Sequence, residues 1–291
     1  MDARRGILAM CLSMATFLVN DTLVKLVSER LPMDQIVLLR GLFASAVILV
    51  WLAVAEPWVL RFVRRPGMIR VGWRAAIDAA STFTFLWALF NMPLANVSAI
   101  NLSGPLMITV LAVLFLGERV HWRRWSAIGA GLLGVLMIIQ PSSEAFSWFS
   151  VLALVATLFG AVRDVMTRRI AQEIPSILVT LATAVAVALV AGISVSVRDW
   201  TPIATSDLLL LAVASLFLIG GYHFVIVAMR VAEASVVAPF RYTSILWALL
   251  LGYVVWGDVP NFLALVGIAV LVASGLYLLH RERVAGFERR G

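Results

Sequence analysis

The stretch 21–32, DTLVKLVSERLP, returns at 164–175 as DVMTRRIAQEIP, with an acid, a base and a proline at the same three positions. Two further segments return at nearly the same offset: Ala95–Ser98 as Ala232–Ser235, and Gly117-Glu118 as Gly257-Asp258. Matches that keep one spacing over a whole half-chain indicate an internal duplication.

The composition indicates that the chain lies almost entirely in a membrane. Hydrophobic residues make up 62% and charged residues 13% of the 291 positions, and the mean hydropathy is +1.00. A helix needs about 20 mostly apolar residues to cross a hydrocarbon core of about 30 Å. Continuous apolar runs favour helices over a β-barrel. Windows of this size predict ten spans: 6–28, 35–55, 74–92, 96–116, 123–140, 147–167, 175–196, 207–229, 234–256 and 261–280.

Each copy of the repeat holds five spans, and because five is odd, the two copies enter the membrane from opposite sides. The sequence therefore predicts an all-α polytopic membrane protein made of two inverted five-helix repeats, over residues 5–141 and 146–281. Many secondary transporters build one central site with two alternate openings in this way. The architecture favours a carrier over a receptor or a membrane-embedded enzyme.

The net charge of +7 follows the predicted topology. Most of the 23 Lys and Arg residues lie in the two termini and in the loops after even-numbered spans, all on one side. The positive-inside rule then predicts that both termini are cytoplasmic. The sequence has no basic stripe with interleaved aromatic residues, so no nucleic-acid partner is expected. Its single cysteine, Cys11, excludes a disulfide framework, and no motif predicts a metal or cofactor.

The repeated acid–base pairs are candidates for gating or coupling. Charged groups inside spans are costly to bury and mark functional sites. Asp21 and Lys25 lie four residues apart and share a helix face, as do Asp164 and Arg168. Inversion places the two pairs toward opposite faces of the membrane, one gate for each face, or makes a carboxylate a proton site. The alternative is an ordinary helix-end pair whose long cation reaches the interface.

The fourth and ninth spans supply candidates for substrate binding. Pro105 and Pro239 each remove a backbone hydrogen bond from a predicted helix and free carbonyl groups for a polar ligand. A guanidinium such as that of Arg241 can hold an anionic or carbonyl group through two hydrogen bonds. The alternative is a simple kink with a cation that reaches the interface. The candidate residues on these spans are Asn101, Ser103, Arg241 and Tyr242.

Aromatic side chains on the third and eighth spans form a third candidate set. Trp87, Tyr222 and His223 occupy matching spans of the two halves, where rings can line a cavity for a flat substrate. Most other Trp residues lie near span ends, as is typical of the interfacial belt. His223 is open to the alternative of a packed residue. Arg40 and Asp78 lie near span ends and fit either a functional or a structural role.

These features together resemble the drug/metabolite transporter superfamily, EamA type. The resemblance rests on the two halves, each with an early polar pair, a proline-bearing fourth helix and a closing Gly-Glu or Gly-Asp. Asp258 departs from the second Glu of that pattern. The resemblance implies a multi-pass carrier of the bacterial inner membrane, without cofactor or metal. It also implies a substrate cavity between the spans 74–92, 96–116, 207–229 and 234–256.

The opening Asn20-Asp21-Thr22, with Leu31-Pro32 after it, is similar to the riboflavin-uptake branch of that superfamily. The similarity implies transport of a vitamin such as riboflavin. Export of amino acids or toxic metabolites is the alternative, and a membrane-embedded enzyme is the hypothesis from another class. The expected partners are a small-molecule substrate and the lipid bilayer, and a homodimer stays open.

Overall fold

The computed structural model describes residues 3–64, 67–116, 122–140, 146–167, 174–196, 200–231 and 237–288, and the elements within these ranges are all helical. Two of them are short 3-10 segments, Pro57–Arg64 and Ala238–Thr243. The α-helices are α1 (Ala3–Val27), α2 (Met33–Ala55), α3 (Met68–Phe90), α4 (Leu94–Asn101), α5 (Gly104–Leu116), α6 (Trp122–Ile139), α7 (Trp148–Thr167), α8 (Ser176–Ser196), α9 (Thr205–Val231), α10 (Ser244–Trp256) and α11 (Phe262–Glu288).

Five helical segments are long and apolar enough to cross a membrane by length and composition alone. They are Arg4–Val27, Met33–Ala55, Trp148–Met166, Ile177–Ser196 and Thr205–Val225. Shorter apolar helices, together with α3 and its charged residues, complete the bundle. The molecule is therefore a polytopic membrane protein, and most predicted spans match one helix each. The helix α3 begins at Met68, before the predicted start at residue 74. The prediction began too late because an apolar window excludes the arginines in the first turns of this helix.

The two proline-bearing spans are not continuous helices, in keeping with the backbone hydrogen bonds that their prolines remove. The predicted span 96–116 is divided into α4 and α5 by a turn at Leu102-Ser103. Pro105 has no N–H to donate to the carbonyl of Asn101, so the helix breaks in the turn before the proline. The Ser103 hydroxyl instead donates to the Ile100 carbonyl at 2.7 Å. In the predicted span 234–256, which is described from Val237 onward, the 3-10 segment Ala238–Thr243 contains Pro239 and precedes α10.

The helix ends follow from residues with restricted or permissive backbones. Pro32 and Pro93 precede α2 and α4 with φ of −63° and −55°, values that the pyrrolidine ring imposes. At the end of α10, Gly257 adopts φ +71°, and the Asp258 N–H donates to the Gly252 carbonyl at 3.2 Å. This left-handed cap is the helix end that a Gly-Asp pair favours. The matching Gly117-Glu118 lies outside the described residues.

The helix contacts occur in pairs that exchange when the two halves are swapped. The helix α1 packs on α9, and α7, the repeat equivalent of α1, packs on α3, the equivalent of α9. In the same way α2 contacts α9 and α8 contacts α3. Two contacts, α2 with α8 and α6 with α11, join a helix to its own equivalent. One apolar core extends through both halves, with Leu86, Leu94, Leu211 and Leu271 almost fully buried.

The α6–α11 contact is close because two glycines face each other. A Cβ atom on Gly134 would lie 2.7 Å from the Gly267 carbonyl oxygen, and one on Gly267 would lie 2.6 Å from that of Gly134. Helices in a bilayer associate through such small-residue contacts, since lipid gives them no hydrophobic drive to pack. Neither position has room for a side chain.

Candidate functional site

A cavity of about 550 Å³ lies between the two halves. Its walls come from the middle of α1, α2 and α3, from the break between α4 and α5, from α7, α8 and α9, and from the 3-10 segment before α10. Its volume is in the range of about 300–1,000 Å³ that small-molecule sites occupy. A second cavity of about 470 Å³, between α2 and α8, has no charged lining residue and only Ser45 and Ser196 as polar ones.

One wall of the central cavity carries an ion-pair network, which we call the α3–α7 network. Arg163 on α7 contacts the carboxylate oxygens of Asp78 at 2.8 Å and of Asp164 at 2.9 Å. Arg74, one turn before Asp78 on α3, pairs with Asp78 at 3.2 Å and donates to the Thr183 hydroxyl at 2.7 Å. Two guanidinium groups thus neutralise two carboxylates, and the network joins α3, α7 and α8.

The opposite wall holds two charged groups that do not form a salt bridge. Asp21 on α1 accepts a hydrogen bond from the Asn20 amide at 2.9 Å. Arg40 on α2 is 7% exposed, and its guanidinium has no hydrogen-bond or ion-pair partner among the described residues. Asp21 and Arg40 line the same cavity and interact electrostatically. Arg241 also lines the cavity and is exposed.

Aromatic rings border this second wall. Phe17, one turn before Asp21 on α1, meets Tyr222 of α9 edge to face, with ring centroids 5.2 Å apart. The Tyr222 hydroxyl has no hydrogen-bond partner among the described residues, and Tyr222 interacts electrostatically with Arg40. The cavity thus places a phenol hydroxyl and an apolar ring beside the unpaired charges.

The structure brings some of the predicted substrate residues to this cavity. Asn101, Tyr222, Arg241 and Tyr242 line it. Ser103 does not, because it is buried in the helix break and bonded to the backbone.

Trp87 and His223 are also absent from the cavity lining, and their side chains are exposed. Each lies next to a lining residue, Leu86 or Tyr222. One residue step turns the side chain by about 100° around the helix. Both rings therefore point to another side of their helices.

The predicted gating residues are divided between two regions. Asp21 and Asp164 line the cavity. The four-residue spacing predicted that Lys25 pairs with Asp21, but the structure gives Lys25 other partners. Lys25 lies one turn farther along α1, donates to the Met92 carbonyl, and stands 4.9 Å over the Trp256 ring. Arg168 lies outside the described residues.

Contacts around Lys25 close one face of the bundle. They join the α1–α2 and α3–α4 connections to the ends of α9 and α10, on the face whose loops carry few basic residues. The Asp207 carboxylate, which accepts a hydrogen bond from Arg30, raises the pKa of that guanidinium above its usual value. The contacts are Trp256 Nε1 to Glu29 at 3.0 Å, Arg30 to Asp207 at 2.7 Å, and the amides of Gln140 and Asn261 at 2.8 Å.

Four cavity residues escaped the sequence analysis or were left open by it. Arg163 was missed, although it directly precedes the repeated Asp164. Arg74 was assigned to a loop by its charge, yet its spacing from Asp78 is that of an ion pair on one helix face. Arg40 and Asp78 had no assigned role. In each case, a charged residue inside a membrane-spanning helix was the sequence feature that could have identified the cavity residue.

A polytopic helical protein whose charged residues surround a cavity between its two halves has the construction of a membrane transporter. The chain belongs to the EamA-like transporter family of the drug/metabolite transporter superfamily, whose sequence model matches residues 4–140 and 147–280. That finding confirms the resemblance stated above and indicates a transporter rather than an enzyme.

The relatives have diverse names. The pseudopaline exporter CntI of Pseudomonas aeruginosa is 28% identical, over 96% of this chain and 98% of its own. An S-adenosylmethionine uptake transporter of Rickettsia prowazekii is 21% identical, over 96% and 93%. A riboflavin transporter of Rhizobium johnstonii is 26% identical, over 72% and 69%. One crystal structure matches with TM-score 0.65 at 18% identity, over 95% of this chain and 98% of the other, and supports the fold alone.

Proposed function

We propose that this chain is a secondary transporter that moves a small organic metabolite across the bacterial inner membrane by alternating access. The observation that carries the proposal is the cavity, which lies between the two halves and is lined by four guanidinium groups and three carboxylates. Charged residues inside a membrane bundle face substrate pathways because burying them elsewhere is expensive.

The pattern of helix contacts supports an inverted repeat. Contacts that exchange when the halves are swapped are those expected of a two-fold relation between the halves. With the proposed five crossings in each half, that axis would lie in the membrane plane, since the second half would start on the side where the first ends. Under this relation, a closed face in one state implies an equivalent closed face in another.

The positive-inside rule supports the orientation. With the basic loops and both termini in the cytoplasm, the face closed around Lys25 is periplasmic. Arg74, Asp164 and Thr180 line the cavity within two turns of the helix ends on the cytoplasmic side. The conformation described here is therefore the cytoplasm-facing one in this proposal.

The charges of the cavity bear on the substrate. Riboflavin is uncharged and cannot form ion pairs with Asp21 and Arg40, which interact with each other without a salt bridge, whereas a charged amino-acid-like metabolite can. We therefore place the export or uptake of such a metabolite first. Riboflavin is the second candidate, supported by the ring surfaces of Phe17, Phe85 and Tyr222 and by the name of one relative.

A counterflow experiment tests the function. Purified protein in liposomes, preloaded with one unlabelled compound at a time, is given the same compound in labelled form outside. The panel holds the L-amino acids, S-adenosylmethionine and riboflavin. We expect labelled compound to accumulate transiently for one class and not in protein-free liposomes. Correctly inserted protein that accumulates none of them contradicts the proposal.

A further inference from the structure

We propose that Asp21 and Arg40 form a subsite for the head group of an α-amino acid, with the carboxylate on Arg40 and the ammonium group on Asp21. This inference rests on the proposed function and adds the chemistry by which the cavity selects its substrate. It excludes an uncharged ligand at this position.

Arg40 is the stronger half of the argument. Its side chain is more than nine-tenths buried, it borders the cavity, and no described residue accepts a hydrogen bond from its guanidinium. A buried guanidinium that interacts with Asp21 without a hydrogen bond or salt bridge is incompletely stabilised, so its presence in a membrane bundle calls for a ligand that accepts its hydrogen bonds. The planar fork of Arg binds a carboxylate through two parallel hydrogen bonds.

Asp21 supplies the opposite charge. Asn20, at 1% exposure, donates to one carboxylate oxygen at 2.9 Å and holds the side chain in place. Among the described residues, no donor contacts the other oxygen of Asp21, which is available to a donor in the cavity. The Oδ1 atom of Asn20 is itself buried without a hydrogen-bond partner. An ammonium group carries three donors and can hydrogen-bond to the Asp21 carboxylate.

The rest of the cavity explains why the head group binds here. In the α3–α7 network, Arg74 and Arg163 already neutralise Asp78 and Asp164. A ligand that binds there must break existing ion pairs. A ligand that binds at Asp21 and Arg40 instead forms hydrogen bonds with atoms that have no partner among the described residues. A ligand held between α1 and α2 has its side chain beside the rings of Phe17 and Tyr222, which interact edge to face.

The test compares ligands that differ by one charged group. Thermal stability of the purified protein is measured with each L-amino acid, S-adenosylmethionine and riboflavin, and Kd values are then measured for every zwitterion that stabilises. For each binder, the decarboxylated amine and the deaminated acid serve as matched probes. We expect at least one zwitterion to bind and both of its analogues to bind at least about 30-fold more weakly, the factor that corresponds to ~2 kcal/mol at 25 °C.

Variants assign the charges to residues. Arg40→Gln is expected to reduce zwitterion affinity by about 30-fold or more and to reduce the discrimination against the amine. Asp21→Asn should reduce the discrimination against the acid. Arg40→Lys keeps the charge without the fork, so an intermediate loss is expected. Arg61→Gln, which replaces an exposed arginine of the 3-10 segment Pro57–Arg64 that does not line the cavity, is the control and should bind normally.

Three results overturn the subsite. No zwitterion binds folded wild-type protein, or the decarboxylated amine binds as tightly as the zwitterion, or Arg40→Gln binds it with wild-type affinity. If riboflavin binds and shows counterflow independently of Arg40, the subsite is wrong and the transporter stands. If zwitterions bind with these dependences but show no counterflow, the subsite stands and the transport proposal falls.

Discussion

Arg163 is the side chain whose removal should most disturb the cavity. It contacts Asp78 at 2.8 Å and Asp164 at 2.9 Å, and its own side chain is 25% exposed. Arg163→Gln leaves Asp78 with Arg74 alone, at 3.2 Å, and Asp164 without its described ion pair. Breaking a buried pair by removing one partner costs about 3–5 kcal/mol. Because Asp164 is 37% exposed and Asp78 keeps one cation, we expect a loss of about 2–3 kcal/mol.

Thermal unfolding of the detergent-purified protein measures this loss. At roughly 2–4 °C for each kcal/mol in a chain of this size class, the melting temperature should fall by about 5–10 °C. The double variant Arg163→Gln/Asp164→Asn also removes the carboxylate that is left without its ion pair and should recover part of the loss. Arg30→Gln breaks an ion pair with an exposed arginine and should lose less. A melting temperature equal to that of wild type, or a double variant in which the two losses simply add, refutes the network.

The remaining predictions concern packing, the ligand and the gates. Gly134→Ala should lower the melting temperature by several degrees, because its Cβ meets the Gly267 carbonyl at 2.7 Å, whereas Gly129→Ala on the same helix meets no atom within 4 Å and should not. Arg241→Ala should reduce transport with little change in unfolding, and normal counterflow by well-inserted protein would return Arg241 to a structural role. Lys25→Ala and Arg168→Ala should shift the thiol accessibility of cysteines along α4, α5 and α10 in opposite directions, since the proposed inverted repeat would put the two cations at opposite faces. Equal shifts would remove both from the gating mechanism.

The positions of the membrane helices could be predicted from the sequence because the apolar length of a span is a local property. The two proline-bearing spans could be recognised as irregular. The position of the break at Leu102-Ser103 could not be predicted, because it depends on which backbone hydrogen bonds are lost. The start of α3 was missed because the charges of Arg70 and Arg74 were counted with the preceding loop. In the structure, Arg74 forms an ion pair with Asp78 and donates a hydrogen bond to Thr183. Hydropathy cannot separate a paired cation from a solvated one.

The site was predictable only in part, since periodicity does not determine which neighbour a helix face meets. Tyr222 and His223 have similar sequence contexts, yet only Tyr222 lines the cavity. Asp21 and Lys25 have the spacing of an ion pair, but Lys25 finds a backbone carbonyl and an indole ring instead. These partners come from α3, α4 and α10, distant segments that the fold brings together.

The central claim is that transport requires the face around Lys25 to open. Glu29 and Trp256 contact each other across that face at 3.0 Å, so cysteines at both positions, in a Cys11→Ser background, can be joined by a short reducible thiol cross-linker. We predict that the cross-linked protein still binds its ligand but shows no counterflow, that reduction restores it, and that each single cysteine treated alike transports normally. Counterflow at the wild-type rate with the cross-link complete would contradict alternating access through this face.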